Sequence, residues 1–294
     1  MNSFWIILTG SLVAATCGFL GCFLILRRMA MLGDAISHAI LPGIALAFLI
    51  TSSRETLPML IGAGAFGLLT VFLIQLFRNS GVKSDAAIGV TFTALFSIGV
   101  VIISLFSSQV DLDLDCVLYG EIAYVPWDTL TIGDLDLGPR AVWGIGIVFL
   151  VSLLVISLFY KQFKLCTFDP AMAAAIGIPV ALFHYLLMGL VSMATVASFE
   201  SVGAILVVAM LVVPGATAYL LTDRLPVMLG LSMLIGVLCS ALGYALATWL
   251  DSSIAGAMTV IAGLLFALAF IFSPRYGLIS KLLARRSLRV SEQE

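Results

Sequence analysis

The sequence predicts an all-α membrane protein, a polytopic bundle of eight or nine transmembrane helices with one short cytoplasmic helix. Of its 294 residues, 62% are hydrophobic and only 10% are charged, and the mean hydropathy is +1.20. A soluble core could not bury that much apolar surface. Hydrophobic stretches of transmembrane length recur along the whole chain, so we treat residues 1–294 as one transmembrane domain.

Nine hydrophobic segments are candidate membrane spans. They cover residues 4–26, 34–52, 57–77, 86–107, 141–160, 179–198, 202–222, 226–249 and 253–273. The first segment has neither a basic leader nor a small-residue cleavage site, so we expect it to be retained as a span. The second contains charged residues and is a candidate for a partly re-entrant segment.

Basic residues predict the orientation, because Lys and Arg collect on the cytoplasmic side of membrane proteins. With the N-terminus outside and the C-terminus inside, twelve of the 14 Lys and Arg residues are cytoplasmic. The other two are Arg54 and Arg140. The basic tail, residues 275–294, would then lie against anionic lipid headgroups.

An acid and an imidazole interrupt the second segment, where Asp34 and His38 are four residues apart. On a helix they project from one face, close enough to hold one cation between them. Pro42 and Gly43 follow and should break or kink this helix. Broken helices with polar side chains at the break are a common way for transporters to bind ions. The alternatives are a helix-capping acid and a packing histidine, but ionisable groups inside a membrane favour a functional site.

The longest outer loop, residues 107–140, is acidic. Asp111, Asp113 and Asp115 alternate with other residues, so in an extended segment they would point the same way. Such a cluster could attract divalent cations or a basic partner surface. The alternative is a solvated acidic loop.

The inner link between segments five and six predicts a short helix at about residues 168–178. Asp169 is the expected N-cap, directly after Phe168, and Pro170 takes the first helical position. Ala174 lies in an alanine-rich body, and Gly177 ends the helix. We interpret it as a knob that docks into a cytoplasmic partner. A simple surface connector is the alternative.

Three other residues were considered for function. Glu200 lies at the outer end of segment six and is a candidate outer gate or entry ligand, with a solvated acid as the alternative. His184 has no acid within helical reach, which favours a packing or hydrogen-bonded role. Pro214, followed by glycine, predicts a second interrupted helix in segment seven.

Several function classes are excluded by missing motifs. The chain has no P-loop, no HExxH and no GxSxG, so ATP hydrolysis and the usual intramembrane protease chemistries are not expected here. A net charge of −2 without a basic stripe argues against nucleic-acid binding. The five cysteines show no CxxC spacing and are interpreted as reduced packing thiols.

Four strings carry a resemblance to a known family. They are Met31–Gly43 (MLGDAISHAILPG), Asp85–Gly89 (DAAIG), Asp113–Ile122 (DLDCVLYGEI) and Ser201–Pro214 (SVGAILVVAMLVVP). With them the chain resembles, over essentially its whole length, the membrane permease subunits of bacterial ABC importers for manganese, zinc and iron. The sequence around Glu200 is most similar to the manganese branch.

The resemblance implies a multi-pass protein of the bacterial cytoplasmic membrane that pairs with a second permease copy. Two cytoplasmic ATP-binding subunits would lie below it and an extracytoplasmic metal-binding protein above it. Asp34 and His38 would line the metal path, and the helix at 168–178 would couple to the ATPase. Mn²⁺ is the expected substrate, with Zn²⁺ and Fe²⁺ as alternatives, and no permanently bound cofactor is expected.

The residues alone leave a second function open. A gradient-driven secondary carrier could use Asp34 and His38 as a proton or cation relay. The capped inner helix favours the ATP-driven importer, because a carrier has no use for it.

Overall fold

The computed structural model describes residues 2–51, 56–106, 122–132, 135–273 and 277. In these ranges the chain forms twelve α-helices, one 3₁₀ helix and a two-stranded antiparallel hairpin. The helices are α1 (Asn2–Leu26), α2 (Met31–Ala39), α3 (Leu41–Thr51), α4 (Thr56–Asn79), α5 (Ser84–Phe106), α6 (Arg140–Leu158), α7 (Tyr160–Phe168), α8 (Pro170–Ala175), α9 (Val180–Val202), α10 (Ala204–Leu221), α11 (Leu225–Leu250) and α12 (Ile254–Phe272). The all-α prediction is therefore confirmed.

Nine candidate spans were predicted, and nine are found within the described ranges. Helices α2 and α3 together make one of them, over Met31–Thr51. The other eight are α1, α4, α5, α6, α9, α10, α11 and α12. The outside position of the N-terminus stays a prediction from the distribution of basic residues.

Helix α1 is the central helix of the bundle and contacts α6, α9, α10 and α11. In its most apolar stretch 78% is buried inside the bundle, compared with 17% for the peripheral helix α6. A Cβ at Gly21 would collide with the carbonyl oxygen of Leu211 in α10. Glycine at this position therefore lets the two helix backbones touch, as small residues do in membrane interfaces.

The prediction that Pro214 interrupts its helix is wrong. Helix α10 continues through Pro214 from Ala204 to Leu221. Pro214 and Gly215 are both buried, and a Cβ at Gly215 would lie 3.2 Å from the backbone nitrogen of Cys22 in α1. Close packing on α1 holds this turn in shape although the proline removes one helical hydrogen bond.

The connection before α6 consists of a 3₁₀ helix (Ile122–Trp127), β1 (Thr129–Ile132) and β2 (Leu135–Pro139). Ile122 and Val125 are buried against the bundle, whereas Tyr124 and Trp127 are exposed. The predicted acidic cluster of Asp111, Asp113 and Asp115 lies outside the described residues.

Helix α7 was not anticipated, because the sequence analysis treated residues 161–168 as a link. Its Phe163 is fully buried, with its ring centroid 6.1 Å from that of Phe23 in α1 and 5.3 Å from that of Phe183 in α9. These long-range aromatic contacts fold the link into a helix. Phe168 is consequently the last residue of α7 and not part of the short helix that follows.

Four of the five cysteines can be assessed, and all four are free and buried: Cys17, Cys22, Cys166 and Cys239. The interpretation as packing thiols is confirmed for them. Cys166 lies in α7, outside the membrane spans, and burial raises the pKa of its thiol.

Candidate metal-transit site

The helix that carries Asp34 and His38 is interrupted near Pro42, as predicted, although Ile40 at the interruption keeps helical backbone angles of φ −76° and ψ −18°. Helix α2 ends at Ala39 and α3 begins at Leu41, so the break falls at Ile40, slightly before Pro42. Pro42 has no N–H to donate to the carbonyl of His38, and its ring crowds that carbonyl. The turn between these two residues is therefore the weak point of the helix, and His38 lies on it.

Asp34 and His38 approach each other along one face of α2. The Nε2 of His38 lies 3.6 Å from the Oδ1 of Asp34, one helical turn away. The side chains are 28% exposed for His38 and 47% exposed for Asp34. Both side chains are therefore partly open on this face of the helix, where a carboxylate oxygen and a neutral imidazole nitrogen are possible ligands for a cation.

The rest of α2 is packed, and this fixes the direction of the pair. Six of its residues are buried: Leu32, Gly33, Ala35, Ile36, Ser37 and Ala39. A Cβ at Gly33 would collide with the side chain of Leu211 in α10, and α2 also contacts α4 and α9. The polar pair is left on the remaining face, beside α5.

Two phenylalanines of α5 hold the imidazole of His38. The ring centroids of Phe92 and Phe96 lie 5.7 and 5.8 Å from that of His38. Phe96 meets the imidazole edge to face, at 85°. The sequence analysis did not assign these residues, although their spacing of four on one helix face was the signal that could have found them.

The described residues of one chain do not complete a metal site. Within the described ranges, no group of three or more His, Cys, Asp or Glu side chains converges. Octahedral ions such as Mn²⁺ need more donors than one carboxylate and one imidazole.

The short helix α8 has both of the caps that the sequence predicted. The Oδ1 of Asp169 accepts a hydrogen bond from the N–H of Met172 at 2.9 Å, and Pro170 occupies the first turn. At the other end Gly177 has φ +86° and donates to the carbonyl of Ala174 at 3.0 Å. The N–H of Ile178 donates to the carbonyl of Ala173, also at 3.0 Å, which completes a Schellman motif.

The surface of α8 and its flanks is largely apolar and open. Phe168, Met172 and Ile176 are all exposed, and so is Ala174. Only Ala173 of the six helical residues is buried. A capped, rigid helix with exposed large apolar side chains is suited to docking on another protein.

His184 belongs to a polar cluster that sequence reasoning missed. The Nη1 of Arg27 donates to the Nδ1 of His184 at 3.5 Å, and the Nε of Arg27 donates to the Oγ1 of Thr167 at 3.2 Å. The hydrogen-bonded alternative for His184 is thus confirmed. Arg27 was assigned only a topological role, because its partners are 140 and 157 residues away in sequence.

Glu200 lies near the C-terminal end of α9, three residues before Gly203, which has φ +79°. Its side chain lies outside the described part of the structure, as does the tail from residue 278 onward. Their roles stay predictions.

Nine candidate spans within the described ranges, a carboxylate and an imidazole on an interrupted helix, and a short capped helix between spans are together typical of a polytopic membrane transport protein. The family model described as the ABC 3 transport family matches residues 2–273. The chain belongs to this family.

Named relatives and a solved structure agree with this assignment. The chain is 55% identical to the manganese transport system membrane protein MntD of Bacillus subtilis, over 98% of this chain and 97% of the relative. It is 41% identical to the zinc transport system membrane protein TroD of Treponema pallidum, over 97% of this chain and 78% of the relative. PsaBC from Streptococcus pneumoniae, solved in complex with Fab, matches with a TM-score of 0.77 and 36% identity, over 92% of each chain. The resemblance to a membrane permease subunit is confirmed.

Proposed function

We propose that this chain is the membrane permease of an ATP-driven importer that carries Mn²⁺ from an extracytoplasmic binding protein to the cytoplasm. The observation that carries the proposal is the half-exposed pair of Asp34 and His38 at the break of a membrane helix. Carboxylate oxygen and imidazole nitrogen are donors for Mn²⁺, Fe²⁺ and Zn²⁺, whereas Cu⁺ prefers thiolate and thioether.

A second copy of the chain would complete the site. Two copies related by a two-fold axis would supply two carboxylates and two imidazoles, and water would fill the remaining positions. The exposed sides of Asp34 and His38 support this arrangement, since an uncompensated carboxylate facing lipid is unfavourable. A loosely held ion also suits transport, because the ion must leave again.

The exposed face of α5 is our candidate for the contact between the two copies. Thr93 and Ser97 lie on it, next to the phenylalanines that hold His38. Their hydroxyls donate to the carbonyls of Gly89 and Thr93 on their own helix, at 2.8 and 2.7 Å. Small side chains with internally satisfied hydroxyls allow two membrane helices to approach closely.

Energy would come from partner chains, because this chain has no P-loop of its own. Two cytoplasmic ATP-binding subunits would each receive one copy of α8. The exposed Phe168, Met172 and Ile176 are its docking side chains, and the caps at Asp169 and Gly177 keep it rigid. The gradient-driven carrier is disfavoured, because it gives α8 no role.

The outer side would receive the binding protein. We propose that the acidic residues of the outer loop and Glu200 guide the cation from that protein toward the pair, by attraction of a positive ion to clustered carboxylates. The exposed Tyr124 and Trp127 would contribute contact area at this face.

The choice of metal rests on the relatives, since the ligand chemistry suits several ions. Relatives at 55% and 41% identity are named for manganese and for zinc. The higher identity favours Mn²⁺, and Zn²⁺ and Fe²⁺ are the alternatives.

The experiment is metal accumulation in cells that lack this protein, with manganese, iron and zinc measured together. We expect manganese alone to fall, and the wild-type gene to restore it. Restoration should also require the P-loop lysine of the partner ATPase. Loss of zinc instead would change the substrate, whereas restoration with an inactive ATPase would favour the secondary carrier.

A further inference from the structure

The loop between α1 and α2, residues 27–30, connects two functional parts of the molecule. At one end Arg27 donates through Nε to the Oγ1 of Thr167, the penultimate residue of α7. At the other end the loop leads directly into α2, and Asp34 is in its first turn. The loop thus joins the segment that carries α8 to the helix that carries the polar pair.

Thr167 is a well-defined acceptor for Arg27. Its hydroxyl proton is donated to the carbonyl of Phe163 at 2.7 Å, so a lone pair is left for the guanidinium. Asp169, the N-cap of α8, follows two residues later. A displacement of α8 by a docked partner would therefore move Thr167 with it.

The loop itself has little slack. The N–H of Met29 donates to the carbonyl of Leu24 at 2.8 Å, and the N–H of Leu32 donates to the carbonyl of Met29 at 3.0 Å. Met29 is buried, and Arg28 has φ +56°, a conformation that the surrounding contacts must hold. A displacement of Arg27 would therefore also displace the start of α2.

Arg27 is held by neutral groups. Its Nη2 is buried with no hydrogen-bond partner among the described residues, and no carboxylate pairs with it there. Burial also lowers the pKa of its guanidinium, because the charged form loses contact with water. At this buried position the hydrogen bond from the Arg27 guanidinium to Thr167 contributes strongly to stability, because water does not replace it when it is lost.

The end of α7 has room to move. A cavity of about 560 Å³ borders Phe168 and lies between the ends of α1, α10 and α11. Arg28 and Met228 also line it. Phe168 could shift into this space without displacing the packed core around Phe163.

From these contacts we infer that Arg27 is a positioning residue that transmits movement of α8 to α2, and so to Asp34 and His38. The inference rests on the proposed function. Metal transport is coupled to ATP hydrolysis through the hydrogen bond between Arg27 and Thr167. Without this bond, ATP hydrolysis continues but moves fewer metal ions.

The test uses the complete complex in proteoliposomes, with the permease, the ATP-binding subunits and the manganese-loaded binding protein. ATP hydrolysis and Mn²⁺ uptake are measured on the same sample for wild type, Thr167→Val, Arg27→Met and the double variant. Thr259→Val is the matched control, since Thr259 is also half-buried and also donates to the carbonyl four residues earlier, at 2.9 Å.

We expect Thr167→Val to keep ATP hydrolysis near wild type while the number of ions moved per ATP falls by about tenfold, the factor that one hydrogen bond to a charged group corresponds to. The double variant should be no worse than Arg27→Met, because Arg27→Met already removes the hydrogen bond to Thr167 together with the one to His184. Thr259→Val should keep the wild-type ratio.

Two outcomes would overturn separate claims. A wild-type ratio of uptake to hydrolysis in Thr167→Val, with the wild type active, would refute the role of Arg27. A wild-type complex that hydrolyses ATP without moving any divalent metal would refute the proposed function itself.

Discussion

Asp34 and His38 lie one helical turn apart on α2, with Oδ1 and Nε2 separated by 3.6 Å, and neither side chain is fully buried. The buried residues of the same helix hold the pair in place, and Phe92 and Phe96 fix the imidazole. The two side chains are thus held in a fixed arrangement on the face of α2 beside α5.

The contact between α1 and α10 depends on Gly21. Replacing it with alanine puts a methyl group into the carbonyl oxygen of Leu211, so we expect Gly21→Ala to destabilise the protein by about 1–3 kcal/mol. Thermal unfolding in detergent measures this. Gly144→Ala is the control, since a Cβ there meets nothing within 4 Å. An unchanged melting temperature for Gly21→Ala would contradict the close approach of these helices.

Two phenylalanines of α7 should respond differently to the same substitution. Phe163→Ala removes a fully buried ring and should lower stability by about 3–5 kcal/mol. Phe168→Ala removes an exposed ring and should leave the melting temperature near wild type while it weakens binding of the ATP-binding subunits. Unfolding and co-purification, measured on both variants, separate the two roles. Equal loss of stability would show that Phe168 is a core residue.

The N-cap of α8 is a third test. Asp169→Ala removes the acceptor for the N–H of Met172 and should weaken this helix by about 1 kcal/mol. We expect less ATP-binding subunit to co-purify with the permease. Asp169→Ser restores a capping oxygen and should recover most of the binding. If the serine variant is as defective as alanine, the charge of Asp169 matters and its capping does not.

Much of this structure could be predicted from sequence because the signals are local. The caps of α8 and the shared face of Asp34 and His38 depend on residues within four positions of each other. Helix α7, the continuity of α10 through Pro214 and the bonds of Arg27 depend on contacts between distant segments. Spacing along one chain does not reveal such contacts, and this is why the polar cluster around His184 was missed.

The orientation of the protein can be tested with C-terminal reporter fusions. Twelve of the 14 basic residues are cytoplasmic in the predicted orientation, so a fluorescent protein fused to the C-terminus should fluoresce. An alkaline phosphatase fused there should stay inactive. An active phosphatase together with a dark fluorescent fusion would invert the topology and place α8 outside.

The central claim is that Asp34 and His38 bind the transported ion, and uptake of radioactive manganese by energised cells tests it most directly. Asp34→Asn and His38→Gln should each abolish uptake while the ATP-binding subunits still co-purify. Asp251→Asn should transport like wild type, since Asp251 is exposed and its left-handed backbone, with φ +50°, suits asparagine. Wild-type uptake by Asp34→Asn would contradict the assignment of this pair to the metal path.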